Sequence, residues 1–234
     1  MTLRVIDTET TGLDPAVDQI IEIASIDLTN DAFFYNPLEC LAKPTVPIKP
    51  SASAAHHLIE EDVAKAPPLS EVLPKFNGAD FYIAHNAKFD RQFLDGKLKG
   101  KDGAEPKWIC TMKCAIRAWP EAPGYSNQVL RYWHGMASPF GLVREKIEPH
   151  RALSDVFVTA AIFYKLLETA KFNELVAWSS EPALYSKFPF GKHKDEPLSD
   201  VPASYLEWVI RSDLDEDMKH SARHWLNARG KVTA

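Results

Sequence analysis

The chain has 234 residues, 45% of them hydrophobic, and its 27 Lys and Arg stand against 32 Asp and Glu for a net charge of −5. This composition supports a full core, excludes global disorder, and contains no run of about 18 apolar residues that would cross a membrane. Three cysteines, Cys40, Cys110 and Cys114, suit neither a disulfide scaffold nor a zinc cluster and fit a reducing compartment. Met1-Thr2-Leu3-Arg4 runs straight into a strand-like segment with no room for a signal peptide, so a cytoplasmic location is expected.

Leu3-Arg4-Val5-Ile6 reads as a buried strand that ends in Asp7-Thr8-Glu9-Thr10-Thr11-Gly12, with a turn at Gly12. The β-branched run Ile20–Leu28 predicts a second strand, and 32–41 a third that Asn36-Pro37 interrupts. Short spacers between them predict an antiparallel meander. A proline-rich connection from Lys43 to Pro50 leads to helical signals near Ser51 and at 59–63, which Pro67-Pro68 stops. Helices are then predicted over 69–76, 87–94, 111–119, 127–133 and 151–170, and strands over 81–84 and 107–110. A meander followed by helix–strand alternation predicts an α/β fold, a mixed sheet with helices packed on it. The pattern breaks after Ala170: 171–185 reads as a linker, and 186–234 as a small C-terminal module with helices at 205–210 and 218–226. A module of that size buries little core alone and is expected to dock on the main domain or on a partner.

The chemistry concentrates in the first 155 residues. Asp7 and Glu9 are two apart, so on a strand both point to one face, where two carboxylates repel unless a cation sits between them. Asp90 follows the predicted strand Phe81–Ala84 at the start of a helix, where a carboxylate also serves as an ordinary first-turn residue. Asp155 sits beside the apolar stripe of the longest helix and needs a partner there, Arg151 being the near candidate. His150 stands just before that helix. Leu13, after Gly12, is either a core residue or an apolar wedge at the rim of a site. An acidic chain is not the usual nucleic-acid binder, but Lys88 to Arg117 holds eight Lys/Arg against four Asp/Glu, and bound cations invert the local sign of an acidic site.

Asp7-Thr8-Glu9-Thr10-Thr11-Gly12, His85-Asn86-Ala87-Lys88-Phe89-Asp90 and His150-Arg151-Ala152-Leu153-Ser154-Asp155 resemble, in order and spacing, the three exonuclease motifs of the DEDDh superfamily. The resemblance covers about residues 3–168 and implies an RNase H-like fold, a five-stranded mixed sheet flanked by helices. Trp108-Ile109-Cys110-Thr111, Trp119-Pro120, Tyr125-Ser126-Asn127 and the C-terminal pattern around Phe190-Gly191-Lys192-His193 and Tyr205-Leu206-Glu207-Trp208 are similar to the exodeoxyribonuclease X group. His56-His57-Leu58-Ile59 departs from the family's usual His-Gly-Ile pattern.

The resemblance implies a metal-dependent 3′→5′ exonuclease that acts on DNA ends and releases nucleoside 5′-monophosphates. It implies two Mg²⁺ or Mn²⁺ ions held by Asp7, Glu9, Asp90 and Asp155, with His150 as general base and Thr10, Leu13, His56, Asn86 and Phe89 at the substrate. DNA, single-stranded or duplex at its 3′ end, is the expected partner. A polymerase or other protein could bind through the C-terminal module, and no membrane is involved. Rival readings are a polymerase-bound proofreading subunit, an RNA-trimming enzyme and an inactive nucleic-acid-binding module. Residues 186–234 carry eight Lys/Arg and eight Asp/Glu. Lys187, Lys192, His193 and Lys194 cluster there around Gly191, the lysines being the main expected phosphate contacts, with most of Phe188, Phe190, Tyr205 and Trp208 forming the module's own core.

Overall fold

The computed structural model describes residues 1–31 and 33–232. Its centre is a five-stranded sheet of β1 (Leu3–Thr10), β2 (Ile20–Leu28), β3 (Phe34–Leu41), β4 (Phe81–Ala84) and β5 (Trp108–Cys110), in the order β3-β2-β1-β4-β5. The first three strands form the expected antiparallel meander, while β4 and β5 run parallel to β1. The expected start of the third strand at Ala32 lies outside the described residues. Asn36 does interrupt β3: it adopts φ 54°, and the register with β2 shifts between Ser25 and Asp27.

Strand β1 is longer than its apolar run. It continues through the acidic motif, pairing Asp7 with Ala24 and Glu9 with Glu22. Arg4, read as part of an apolar run, is buried and forms a two-pronged ion pair with Asp27 at 2.7 and 2.8 Å, and its Nη1 also donates to the Phe76 and Asn77 carbonyls. A buried guanidinium is tolerated because nearly every donor finds an acceptor.

Alternation along the strands divides the core into two layers. Helices α1 (Pro50–His56), α2 (Glu60–Val63), α3 (Leu69–Val72) and α4 (Lys88–Leu94) precede α5 (Thr111–Ala118), α6 (Asn127–Trp133), α7 (Ala152–Thr169) and α8 (Phe172–Ser180). Val5, Ala24, Ile26, Ile83 and Ile109 pack against residues of α5 to α8. Ile6, Ile23, Tyr82 and Ala84 pack instead against Val72, Phe76, Phe93 and Leu94. Among the described residues no helix is long and apolar enough to cross a membrane.

The linker expected over 171–185 is corrected. Most of it is α8, whose Leu175 is fully buried in the α5–α7 layer and whose Ser179 Oγ accepts the Cys110 amide at 2.9 Å. Residues 183–185 belong to the C-terminal module, where the Ala183 amide donates to Asp217 and the Tyr185 amide to Ser221. Only Glu181-Pro182 is left as a joint. The module is α9 (Ala203–Arg211) and α10 (Glu216–Val232) with a bridge between Lys187 and Pro197, closed around Phe188, Leu198, Val201, Leu206, Val209, Met218 and Ala222. It therefore has a core of its own as well as contacts to the main domain, among them Lys113 to Asp217 at 3.4 Å and Ser186 Oγ to the Pro120 carbonyl at 3.1 Å.

The departure at His57 has a backbone reason. His57 ends α1 at φ 62°, ψ 9°, with its amide donating to Ser53 O. That left-handed position favours glycine, and the His57 side chain is exposed. His57→Gly should stabilise the fold by about 0.5–1 kcal/mol, the left-handed cost less the entropy glycine adds to the unfolded chain. The melting temperature should rise by about 2 °C for a chain of this size. A lower melting temperature would show that the imidazole itself stabilises the turn.

Candidate active site

The carboxyl ends of the parallel strands β1 and β4 lie side by side, with antiparallel β2 on the other flank of β1. Open α/β sheets place their sites in the crevice outside the carboxyl ends of their strands. Asp7 and Glu9 share one face of β1. After β4 the chain turns at Asn86, which takes φ 57°, and enters α4, putting Asp90 in the first turn. Asp90 is buried, and Thr8 Oγ1 donates to its Oδ1 at 2.9 Å. Asp155 lies in the first turn of α7, where the helix N-terminus favours a carboxylate. Its Oδ2 accepts the His150 amide at 2.8 Å and its Oδ1 accepts Gln128 Nε2 at 3.1 Å.

Asp7, Glu9, Asp90, His150 and Asp155 all line one cleft of about 340 Å³, together with Asn86, Phe89, Met112 and Asn127. Glu9, His150 and Asp155 bring ligand atoms within 4.8 Å of one another. His150 is exposed at the rim and holds φ 59°, a strained backbone for a residue other than glycine and one that clusters at functional sites.

The electrostatics are those of a cation site. Burial, then repulsion from Asp90, Asp155 and Glu9, pushes the Asp7 carboxyl well above its usual range. Burial, then Asp155 and Glu22, pushes Glu9 up to about 9, with Arg151 opposing. Burial raises Asp90 to about 7 against the Thr8 hydrogen bond, and burial also raises Asp155. Oxygen donors this crowded fit a hard divalent cation, whose charge removes the repulsion.

Two residues expected at the substrate sit elsewhere. Thr10 is buried on the opposite face of β1, its hydroxyl donating to Gly12 O at 2.6 Å, so it braces the turn. His56 is buried and does not line the cleft: its Nδ1 accepts the Leu58 amide at 3.1 Å and its Nε2 donates to Thr10 O at 3.2 Å. It ties α1 to β1 as a neutral imidazole. Leu13 is no core residue; it is 79% exposed on the turn after β1. Asn86 and Phe89 do line the cleft.

The partner expected for Asp155 is also corrected. Arg151 pairs with Glu22 instead, Nη2 to Oε1 at 2.7 Å, and Glu22 Oε2 accepts the Ala152 amide at 2.9 Å. Glu22 has no exposure at all and stands opposite Glu9 in the sheet register. Its signal in the sequence is a charge inside the fully buried strand Ile20–Leu28, which required a partner. His85 was likewise passed over. Burial drops it to about 4, and the neutral ring donates from Nε2 to Tyr125 O at 2.8 Å and faces Thr111 Oγ1 at 2.9 Å, bracing the cleft floor.

A two-layer mixed sheet with a carboxylate-and-histidine cleft at its strand ends is the site of a metal-dependent nuclease, and residues 5–163 match the exonuclease family model. The chain belongs to that exonuclease family. It is 36% identical over 233 residues to exodeoxyribonuclease 10 of Escherichia coli strain K12, covering 96% of this chain and 98% of that protein. It is 33% identical to a DNA polymerase III subunit epsilon-like protein of Rhodobacter capsulatus, over 77% of this chain but 26% of the relative. A solved structure of exonuclease X in complex with 5′ overhanging duplex DNA superposes with a TM-score of 0.62 at 37% identity, covering 76% of this chain and 99% of that one. Escherichia coli exonuclease I with a dA16 oligonucleotide, at 17% identity and a TM-score of 0.57, shares the fold. Residues 182–216 of the module match a separate family described as a putative quorum-sensing-regulated virulence factor.

A carboxyl whose value folding raises keeps its proton longer in the folded chain than in the unfolded one. It therefore withdraws stability as pH climbs from the free carboxylate range through the raised value. The metal-free protein should lose thermal stability between about pH 5 and pH 8. The decline should be shallower in Asp90→Asn, and Mn²⁺ at about a hundredfold over its Kd should restore about 2.7 kcal/mol to the wild type. Calorimetry that finds no pH slope in either protein and no response to Mn²⁺ would rule out the cluster as a cation site.

Proposed function

We propose that this chain is a 3′→5′ exodeoxyribonuclease that hydrolyses the terminal phosphodiester of DNA and releases nucleoside 5′-monophosphates, in DNA repair or end processing. The observation that carries the reading is the convergence of Asp7, Glu9, Asp90, Asp155 and His150 on one cleft. The DNA complex of exonuclease X and the near full-length match to exodeoxyribonuclease 10 support DNA as the substrate. The polymerase-bound reading has less support, since that relative is matched over a quarter of its length. Unpaired Cys40, Cys110 and Cys114 accord with a reducing cytoplasm.

Asp7, Glu9, Asp90 and Asp155 would hold two Mg²⁺ or Mn²⁺ ions, which would supply Lewis-acid stabilisation of charge at the scissile phosphate. His150 accepts the proton of the attacking water, the general-base role that a positioned imidazole fills. Water adds to phosphorus as it gives its proton to His150, the P–O3′ bond breaks, and the leaving oxygen takes a proton from solvent to become the new 3′-hydroxyl. Glu9 also orients the terminal 3′-hydroxyl, and Asn86 and Phe89 meet the last nucleotides. Leu13, on its exposed turn, is the wedge that separates the terminal base from its partner strand.

On a labelled single strand with Mg²⁺, Asp7→Asn should abolish measurable turnover and His150→Ala should lower kcat by about 10²–10⁴-fold. Near-normal digestion by either variant would overturn the assigned roles. Leu13→Ala should slow digestion of duplex ends by about tenfold, the worth of a contact of about 1.4 kcal/mol, and leave single strands untouched. Equal slowing on both substrates would remove the wedge.

A further inference from the structure

The core of the C-terminal module does not consume all of its aromatic surface. Four rings run in sequence across it: Phe190 lies 5.3 Å from Phe188, Phe188 5.6 Å from Tyr205, and Tyr205 5.2 Å from Trp208. The middle of this strip is interior, with Phe188 fully buried. Its two ends are open to solvent, Phe190 at 42% and Trp208 at 53% exposure. On α9 the residues buried in the core are Leu206 and Val209, so Trp208 stands away from that apolar side, where a polar residue is the ordinary occupant.

Basic groups accompany the strip. The short turn Gly191–His193 packs onto it, the His193 ring 4.4 Å from Tyr205, and carries Lys192 with Lys194 immediately after. Lys187 lies on the Pro197 bridge. All three lysines are exposed and none makes an ion pair among the described residues, whereas Arg211 and Arg223 of the same module pair with Glu207 and Glu216. The turn carries two acids, Asp195 and Glu196, the latter bonded to His193 at 2.6 Å, so the three lysines outnumber them. The module is also anchored beside the cleft. Lys113, which holds Asp217, follows the cleft residue Met112, and Tyr125, which faces Tyr185 at 6.3 Å, precedes the cleft residues Ser126 and Asn127.

We propose that this surface is a second nucleic-acid site, on which bases of a single-stranded stretch stack against Trp208 and Phe190 while Lys187, Lys192 and Lys194 meet its phosphates. Aromatic faces with unpaired cations form a sequence-tolerant platform for single strands. Their joint presence favours this occupant over a protein, whose apolar contact would leave the three lysines unanswered. The inference rests on the reading of the chain as a DNA exonuclease and adds to it a hold on the strand away from the point of cleavage.

The test uses the full chain with two labelled single strands, one that fills the cleft alone and one long enough to reach the module. Binding is measured in EDTA and hydrolysis in Mg²⁺. Trp208→Ala and Phe190→Ala should each weaken the long strand about tenfold, the loss of one stacked base, and leave binding and hydrolysis of the short strand unchanged. Trp208→Phe should restore most of the affinity. Replacing Lys187, Lys192 and Lys194 together by Ala should flatten the log–log salt dependence for the long strand by about 2, since each neutralised phosphate contributes about 0.7. Long-strand affinity unchanged in Trp208→Ala and in the lysine variant would overturn the site, and so would equal losses on both strands. A wild type that binds the long strand better than the short but hydrolyses neither would instead sink the exonuclease reading and leave the site standing.

Discussion

Four carboxylates do not stay together in one cleft unless the scaffold around them is rigid enough to oppose their repulsion. The buried pair of Glu22 and Arg151 is part of that scaffold. Glu22 sits beside Glu9 in the sheet and receives Arg151 and the Ala152 amide from the start of α7. Arg151 stands between His150 and Ala152, so one ion pair ties strand β2 to the residue pair that ends in the proposed base and to the helix that carries Asp155. Removing either partner of such a pair leaves an uncompensated buried charge, a penalty of about 3–5 kcal/mol. The pair also sets how far His150 and Asp155 stand from Glu9, because all three depend on the same two strands and one helix start.

The other side of Asp155 is held without charge. Gln128 donates to its carboxylate, and Asn127 reaches its carbonyl at 3.3 Å and Thr159 Oγ1 at 2.7 Å. Buried Arg131 steadies Gln128 by donating to its Oε1 at 3.1 Å. A direct Arg131–Asp155 ion pair would saturate the carboxylate. A neutral amide between them orients it and leaves acceptor capacity for a cation. Asp90 is treated alike, oriented by the Thr8 hydroxyl rather than by a base. The charged partners are kept for Glu22, Asp27 and Asp18, carboxylates outside the cleft.

What could be read from the sequence follows from distance along the chain. Asp7 and Glu9 on one face needed only the strand period, whereas Asp90 and Asp155 stood out through the order and spacing of the three motifs that resemble the family's. The meander and β4 were legible because each carries its pattern within a few residues. The partner of Glu22 lies about 130 residues away in sequence, and no local pattern points to it. Thr10 was misplaced although the same period-2 rule that aligned Asp7 with Glu9 sends it to the opposite face. His56 was misplaced because its backbone partners arise only when α1 docks on β1. Helix α8 was read as a linker since Trp178-Ser179-Ser180-Glu181-Pro182 resembles a chain break, while its burial against α5 and α7 comes from tertiary packing.

A net charge of −5 and a polyanionic substrate are reconciled by where the acids lie. Burial raises the proton affinity of the cleft acids, with repulsion adding to it at Asp7 and Glu9, and bound cations would neutralise the same groups. Glu22 and Asp27 are matched inside the fold by Arg151 and Arg4. The positive excess between Lys88 and Arg117 surfaces beside Asp90 in a groove of about 420 Å³ with Trp108, where Arg91 is paired with Asp95 and Lys113 with Asp217, and Lys88 has no ion pair among the described residues. The module adds Lys187, Lys192 and Lys194, which make no ion pair among the described residues. Net charge counts the neutralised acids in full, whereas a phosphate backbone passing over the surface feels mainly the groups that remain unpaired within a Debye length of about 10 Å. Formally the four cleft carboxylates account for −4 of the −5, so the chain outside the cleft is close to neutral.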